Sequence, residues 1–234
     1  MEVSPLPENK INVYEKMLQE DMYYKGHLIL SYTVKFPYFT GKSHHLTLNK
    51  INAYYRTRAN MYVKSEVLEL YRLAMVEYEY AVANNYPVRP FDVITVYEVT
   101  YNRNCVLSLY FDRYEYTGGA HGITIRSSDT WNIAKSSPVR IASLFPFVDE
   151  VDEYVVDNII EQIDQLAMTE IEVFPYFEDY ETLVKEQYDP NNFYLSHKGI
   201  IIYFQQYEIA PYSSGIPEFL IPYSMGGACR PRYC

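Results

Sequence analysis

Basic residues are scarce in this chain. Its 234 residues include 20 Lys and Arg against 30 Asp and Glu, which gives a formal net charge of −10 at pH 7. Nucleic-acid backbones and anionic membrane surfaces both favour clustered Lys and Arg. The charge balance therefore argues against those two classes of partner, and it fits a cationic partner better.

An apolar run long enough to cross a bilayer is also missing, so we expect no direct membrane insertion by this chain. Residues 1–10 are polar and contain prolines, without the basic segment and apolar stretch of a secretory signal peptide. The sequence leaves two alternatives for the location. Either the protein is cytoplasmic, or it has a leader that lies outside this sequence.

Cysteine is rare, with Cys105, Cys229 and Cys234 and no CxxC pair. The odd number excludes a complete set of intrachain disulfides. Cys105 lies in an apolar, strand-like run and is expected to be a buried small hydrophobe. Cys229 and Cys234 could bridge each other or stay free in a mobile tail. They have no nearby His at zinc-ligand spacing, so no metal site is expected.

Motifs for common cofactors are absent. The chain has no GxxxxGK[ST], no GxGxxG and no HExxH segment. We therefore expect no cofactor, and we consider nucleotide-binding and zinc-peptidase functions poorly supported.

Tyrosine is abundant instead, with 27 Tyr beside 11 Phe in a chain that is 48% hydrophobic and 21% charged. This composition is typical of a globular protein, and the length suits one large domain or two small ones. Aromatic residues favour β-sheet faces, and tyrosines also serve at recognition surfaces. Both interpretations of the tyrosines stay open.

Hydrophobic periodicity predicts the fold class. Apolar residues from 46 to about 84 recur at helical spacing and predict one long amphipathic helix, which could be kinked or split. A second helix is predicted near residues 149–167. Alternating segments at 27–39, 91–101, 105–116, 123–134 and 193–205 predict strands and a hairpin, and short connections make consecutive strands antiparallel. We predict an α+β fold with a mainly antiparallel sheet flanked by these helices.

The first candidate site is the glycine-rich segment 116–122, YTGGAHG, between two predicted strands. Glycines allow positive φ and close approach of another backbone, so the loop could present His121 to a groove. His121 could act as a general base if Asp129 or Glu115 oriented its ring. No nucleophile accompanies it, which favours a simple turn with a locally bonded histidine.

The second candidate site is residues 207–219, YEIAPYSSGIPEF. A proline-fixed loop with exposed aromatics suits recognition, whereas the same residues could pack their tyrosines onto the sheet. Glu208 and Glu218 could pair with cationic groups of a partner.

Several segments resemble a bacterial domain of unknown function. These are YTGGAHG at 116–122, YLSHKGI at 194–200, YEIAPY at 207–212, GIP at 215–217 and IPY at 221–223. The resembled domain occurs in the extracytoplasmic part of RsiV-like anti-sigma factors, which are lysozyme receptors, and beside the deacetylase domain of PdaC-like peptidoglycan deacetylases. The upstream strand and helix resemble its usual N-terminal companion domain.

The resemblance implies three regions, a companion region at 11–90, an RsiV-like α+β domain at 91–223 and a flexible tail at 224–234. It also implies a non-enzymatic binding module of cell-envelope or stress-response type, whose partner is a cationic protein such as lysozyme or a cell-wall glycan. The chain lacks the anti-sigma segment, the transmembrane helix and the deacetylase domain, so regulated signalling is not implied.

The two candidate loops supply the predicted binding residues, with a hydrolase based on His121 or a cytoplasmic interaction protein as alternatives. The predicted binding residues are Tyr116, Gly118, Gly119, His121, Gly122, Tyr207, Glu208, Tyr212 and Glu218.

Overall fold

The computed structural model describes residues 10–169, 173–223 and 227–234. The strands are β1 (Asn12–Tyr24), β2 (His27–Thr40), β3 (Phe91–Arg103), β4 (Val106–Tyr116), β5 (Ile123–Asn132), β6 (Ser137–Pro138), β7 (Phe193–Leu195), β8 (Gly199–Tyr203) and β9 (Glu218–Pro222). The α-helices are α1 (His45–Tyr62), α2 (Leu68–Ala83), α3 (Val151–Ala167) and α4 (Tyr180–Gln187). Short 3₁₀ turns lie at Ile141–Leu144 and Tyr212–Ser214.

The predicted α+β class is confirmed. Strands β1 to β6 form one sheet in chain order, and β7, β8 and β9 form a second, antiparallel sheet. The pair β2 and β3 is parallel, because the chain returns through the long helix before it re-enters the sheet. The pairs β1 with β2 and β5 with β6 are antiparallel.

The long N-terminal helix is confirmed, with a break in its middle. A π-helical turn at Val63–Val67 joins α1 to α2, where one wider turn interrupts the regular hydrogen bonding. Asn52 fixes α1 to β2, because its side chain accepts from Phe39 N at 2.7 Å and donates to Phe39 O at 2.9 Å. The sequence alone suggested this interruption only as a possible kink.

The chain divides into two compact units. The helix unit consists of Ile11–Tyr97 and Phe111–Ile125, and the C-terminal unit contains Glu98–Tyr110 and Arg126–Cys234. Strands β3, β4 and β5 each contribute residues to both units. The division predicted from the sequence, at residues 90 and 91, stays a prediction.

The core of the C-terminal unit forms around α3, which confirms the second predicted helix. Its buried side chains recur at helical spacing and pack with the buried faces of β8 and β9. The helix side chains are Val151, Val155, Val156, Ile159 and Ile163, and the strand side chains include Ile200, Ile202, Phe219 and Ile221.

Strand β1 was not predicted. It pairs with β2 over 13 residues, from Asn12 opposite Thr40 to Tyr24 opposite His27. All of its side chains are exposed or partly exposed, so it has no buried face that would impose alternating polar and apolar residues. Residues 1–9 of the polar N-terminal segment lie outside the described residues.

The C-terminal segment corrects two expectations. Cys234 forms a disulfide with Cys105, whereas Cys229 is free. Cys105 is buried as predicted, but as half of a cystine rather than as a free thiol. Residues 227–234 are further held by hydrogen bonds, from Cys229 N to Leu144 O at 2.7 Å and from Tyr233 N to Asn104 O at 3.1 Å. This described part is therefore anchored, not a free tail, while residues 224–226 lie outside the description.

No α-helix in the described part of the chain combines the length and apolar character that a bilayer span requires.

Candidate functional site

The glycine loop after β4 has a backbone that requires glycine. Gly118 and Gly119 have φ values of 97° and 87°, a region that other residues rarely adopt. Gly119 O accepts from Tyr116 Oη at 3.2 Å and from Arg89 Nη1 at 3.3 Å. Gly122 is buried, and a Cβ there would overlap Glu115 O and the Tyr114 ring. The loop is thus a fixed turn whose conformation depends on its glycines.

His121 lies exposed in this loop. Its Nδ1 is 3.0 Å from Gly122 O. Glu115, one proposed orienter, accepts from Tyr62 Oη at 2.7 Å and pairs with Arg113 at 3.2 Å. Burial and this bond raise the pKa of Tyr62, so the phenol stays a neutral donor to Glu115. Glu115 therefore has structural partners, and the general-base role of His121 stays a prediction.

The other proposed orienter, Asp129, belongs to the C-terminal unit. In the described part of the chain, no group of three or more His, Cys, Asp or Glu residues has the arrangement of a metal site.

A pocket of about 180 Å³ lies beside the glycine loop, within the helix unit. Its floor includes the buried side chains of Ile29 and Phe91. Its remaining lining is contributed by α2, by the segment after it and by the loop. The polar and aromatic lining residues are Glu77, Tyr78, Tyr80, Tyr86, Arg89 and Thr117, beside Gly118 and Gly119. The sequence indicated only the loop residues Thr117, Gly118 and Gly119, because the other lining residues lie far upstream of the loop, as Arg89 does at 30 positions before Gly119.

The second candidate loop is held in place by the C-terminal unit. Ile209 and Ala210 are buried, and Phe177 N donates to Ile209 O at 3.1 Å. Ser214 Oγ donates to Pro175 O at 2.7 Å. Gly215 closes the loop with a φ of 69°. These contacts fix the backbone on both sides of the predicted recognition residues.

Tyr207 and Tyr212 form an aromatic pair on this loop, which we call the tyrosine edge. Their ring centroids are 5.8 Å apart with an interplanar angle of 32°. Tyr207 is 50% exposed, and Tyr212 is partly buried. The Tyr207 ring is therefore not completely packed onto the sheet, and its role in recognition stays a prediction.

The two predicted acidic binding residues have internal partners. Glu208 Oε2 accepts from Gln205 N at 2.6 Å. Glu218 forms an ion pair with Arg126 and accepts from Tyr194 Oη at 3.0 Å. Both carboxylates therefore serve the fold, which reduces their availability to a cationic partner.

Arg126 is the centre of a cluster that the sequence did not indicate. Its guanidinium lies 3.9 Å from the centroid of the Tyr110 ring, a cation–π arrangement. The side-chain amide of Gln205 accepts from Arg126 N and donates to Arg126 O, each at 2.8 Å. The Tyr194 ring lies 5.1 Å from that of Tyr110. These residues come from separate strands and a loop, so no local motif marks them.

Glu208 gives the first testable prediction. Burial raises the pKa of its carboxyl, although the hydrogen bond from Gln205 acts in the opposite direction. A raised folded-state pKa means that its contribution to stability is complete below the unfolded pKa and is lost as pH rises through the folded pKa. We expect Glu208→Gln to raise Tm by about 1–3 °C at pH 7 and by nothing measurable at pH 4. Thermal unfolding at both pH values, with exposed Glu69→Gln as control, tests this, and an equal gain at both would contradict it.

The nine predicted binding residues thus divide between the units. Five belong to the glycine loop and its flank in the helix unit, and four belong to the second loop and β9 in the C-terminal unit. The first group is Tyr116, Gly118, Gly119, His121 and Gly122, and the second is Tyr207, Glu208, Tyr212 and Glu218.

Solved structures share the fold. A member of the DUF3298 family from Bacteroides fragilis is 20% identical with a TM-score of 0.68, over 93% of this chain and 92% of that chain. A DUF3298 family protein from Pseudomonas aeruginosa is 17% identical with a TM-score of 0.54, over 91% of this chain and 92% of that chain. No curated protein matches the chain.

Two family models match consecutive parts of the chain. Residues 12–124 match the family described as Deacetylase PdaC, and residues 147–224 match the family described as Protein of unknown function (DUF3298). Neither description states a ligand. Residues 12–124 are thus similar to one family and residues 147–224 to another, a combination that favours a cell-envelope-related module.

Proposed function

We propose that this chain is a non-enzymatic binding module of the bacterial cell envelope that binds a peptidoglycan-related glycan through the tyrosine edge. The observation that carries this proposal is the exposed Tyr207 ring beside Tyr212 on an anchored loop. Aromatic rings present large, rigid contact faces, on which the apolar face of a sugar can stack. Because the loop backbone is already fixed, little conformational freedom is lost on binding.

Two further observations support the glycan and the location. The family matched by residues 12–124 is described as a deacetylase, which supports an acetylated ligand such as an N-acetylated cell-wall sugar. The disulfide between Cys105 and Cys234 suits an oxidising compartment, as found outside the cytoplasm.

A cationic protein such as lysozyme is the second candidate ligand. The observation that favours it is the net charge of −10, which would speed encounter with a basic partner. Tyr207 and Tyr212 could then fill a cleft of that protein instead of stacking on a sugar.

The test is calorimetric titration with an N-acetylglucosamine hexamer. We expect Tyr207→Ala to weaken binding about tenfold, because the stacking face is lost, and Tyr207→Phe to retain it. Tyr14→Ala is the matched control, since Tyr14 is 53% exposed on β1 of the other unit and should leave affinity unchanged. Equal affinity of Tyr207→Ala and the wild type would remove the tyrosine edge from the proposal.

The same protein is titrated with a c-type lysozyme at low and high salt, together with a muramidase assay. Tight binding that weakens with salt, without hexamer binding, would replace the glycan by a cationic protein as the ligand. Binding of neither probe would contradict both candidates.

A further inference from the structure

We propose that the pocket beside the glycine loop is a second binding site, which takes a single sugar residue. The proposal takes the ligand class from the proposed function, but it concerns a different site in a different unit. The pocket belongs to the helix unit, whereas the tyrosine edge belongs to the C-terminal unit.

The size of the pocket limits the ligand to one ring. Its volume of about 180 Å³ is below the range of roughly 300–1,000 Å³ that is common for drug-sized ligands. A long chain, a nucleotide or a folded peptide segment would not fit inside it. A monosaccharide or another small polar ring has the appropriate size.

The walls combine apolar and aromatic surface. Ile29, Ala74 and Phe91 supply buried apolar contacts. Tyr80 and Tyr86 are exposed, and their rings lie 6.0 Å apart at 51° to each other. Because the two rings contact each other, they form one continuous aromatic wall of the pocket. A sugar has apolar C–H faces that suit such walls.

The polar groups of the pocket suit hydroxyls better than a single ion. Arg89 and Glu77 both line it and are exposed, so the pocket offers a guanidinium donor and a carboxylate acceptor together. Neighbouring hydroxyls of a sugar both donate and accept, and can use both groups. A simple anion would be repelled by Glu77, and a simple cation by Arg89.

Arg89 is also held in position for this role. Its Nη1 donates to Gly119 O at 3.3 Å, and the planar guanidinium has further N–H groups for a ligand. The carbonyl that positions it belongs to a loop whose φ of 87° at Gly119 requires glycine. The glycines thus serve the pocket indirectly, by shaping the turn that orients Arg89.

The test is titration of the full chain with N-acetylglucosamine, in which binding is measured through the NMR chemical shifts of labelled tyrosines. We expect saturable binding with a Kd on the order of 1 mM, since a monosaccharide has few atoms in contact. Arg89→Ala and Glu77→Gln should each weaken binding about tenfold. Arg72→Ala is the matched control, because Arg72 is an exposed arginine of α2 that pairs with Glu69. Circular dichroism verifies that each variant is folded.

The outcomes separate this inference from the proposed function. If the hexamer's affinity depends on Tyr207 but N-acetylglucosamine does not saturate the protein, the pocket site alone is overturned. Saturation by free glycine in place of the sugar would identify a zwitterion site and would also overturn it. Monosaccharide binding that Arg89→Ala weakens and Tyr207→Ala does not would support a separate sugar site, whatever the result at the tyrosine edge.

Discussion

Reduction of the disulfide between Cys105 and Cys234 is expected to lower the free energy of unfolding by about 2–5 kcal/mol. The bond joins residues separated by 129 positions, so it removes a large amount of conformational entropy from the unfolded chain. The chain-entropy relation gives about 5 kcal/mol for such a loop, and native disulfides commonly give less. The corresponding fall in Tm is about 5–15 °C.

Urea unfolding with and without a reducing agent measures this effect. Cys105→Ser and Cys234→Ser should each reproduce the reduced wild type, and neither should respond further to the reducing agent. Cys229→Ser is the control, because Cys229 is free and its loss should leave the response to reduction intact. If oxidised and reduced wild type unfold at the same urea concentration, the disulfide does not contribute to stability.

The regular parts of this fold could be predicted from the sequence because they bury one face. In α3, buried residues such as Val155, Ile159 and Ile163 follow the helical repeat. The same holds along α1, where Leu48, Ile51 and Tyr55 are buried and identified the long helix. Local periodicity is sufficient to predict a helix or a strand wherever only one face of that element is buried.

Prediction failed where an element has no buried face or where a contact joins distant parts of the chain. Strand β1 has no buried face, so its pairing with β2 leaves no alternating pattern. The partner of Cys234 could not be chosen, because three cysteines allow several pairings and their spacing does not decide between them. Local sequence patterns do not identify a partner that lies more than 100 positions away, as Cys105 does from Cys234.

The candidate sites show the same division. Gly118 and Gly119 marked their loop, because a positive φ selects for glycine. Tyr86 and Arg89, which complete the pocket, follow α2 in a segment that resembles an ordinary connection. The sequence identified the turn at Gly118 and Gly119, and only the fold shows that this turn lines a pocket.

Replacement of Glu218 by alanine is expected to destabilise the protein by about 3 kcal/mol, although Glu218 itself is partly exposed. The Arg126 side chain is only 9% exposed, whereas that of Glu218 is 40% exposed. Arginine cannot lose its proton in a protein, so without Glu218 the guanidinium stays charged in a site that excludes most water. Tyr194 Oη would lose its acceptor as well. Urea unfolding of Glu218→Ala measures the loss, with Glu69→Ala as an exposed control.

A double-mutant cycle identifies the cause. Arg126→Met removes the buried charge and keeps an unbranched side chain near the Tyr110 ring, so it should cost less than Glu218→Ala. The double variant Arg126→Met/Glu218→Ala should be more stable than Glu218→Ala alone, because the charge that Glu218 neutralises is gone. If Glu218→Ala instead left stability unchanged and weakened binding of a cationic protein, Glu218 would be a recognition residue. The cycle thus decides whether this carboxylate supports the fold or contacts a partner.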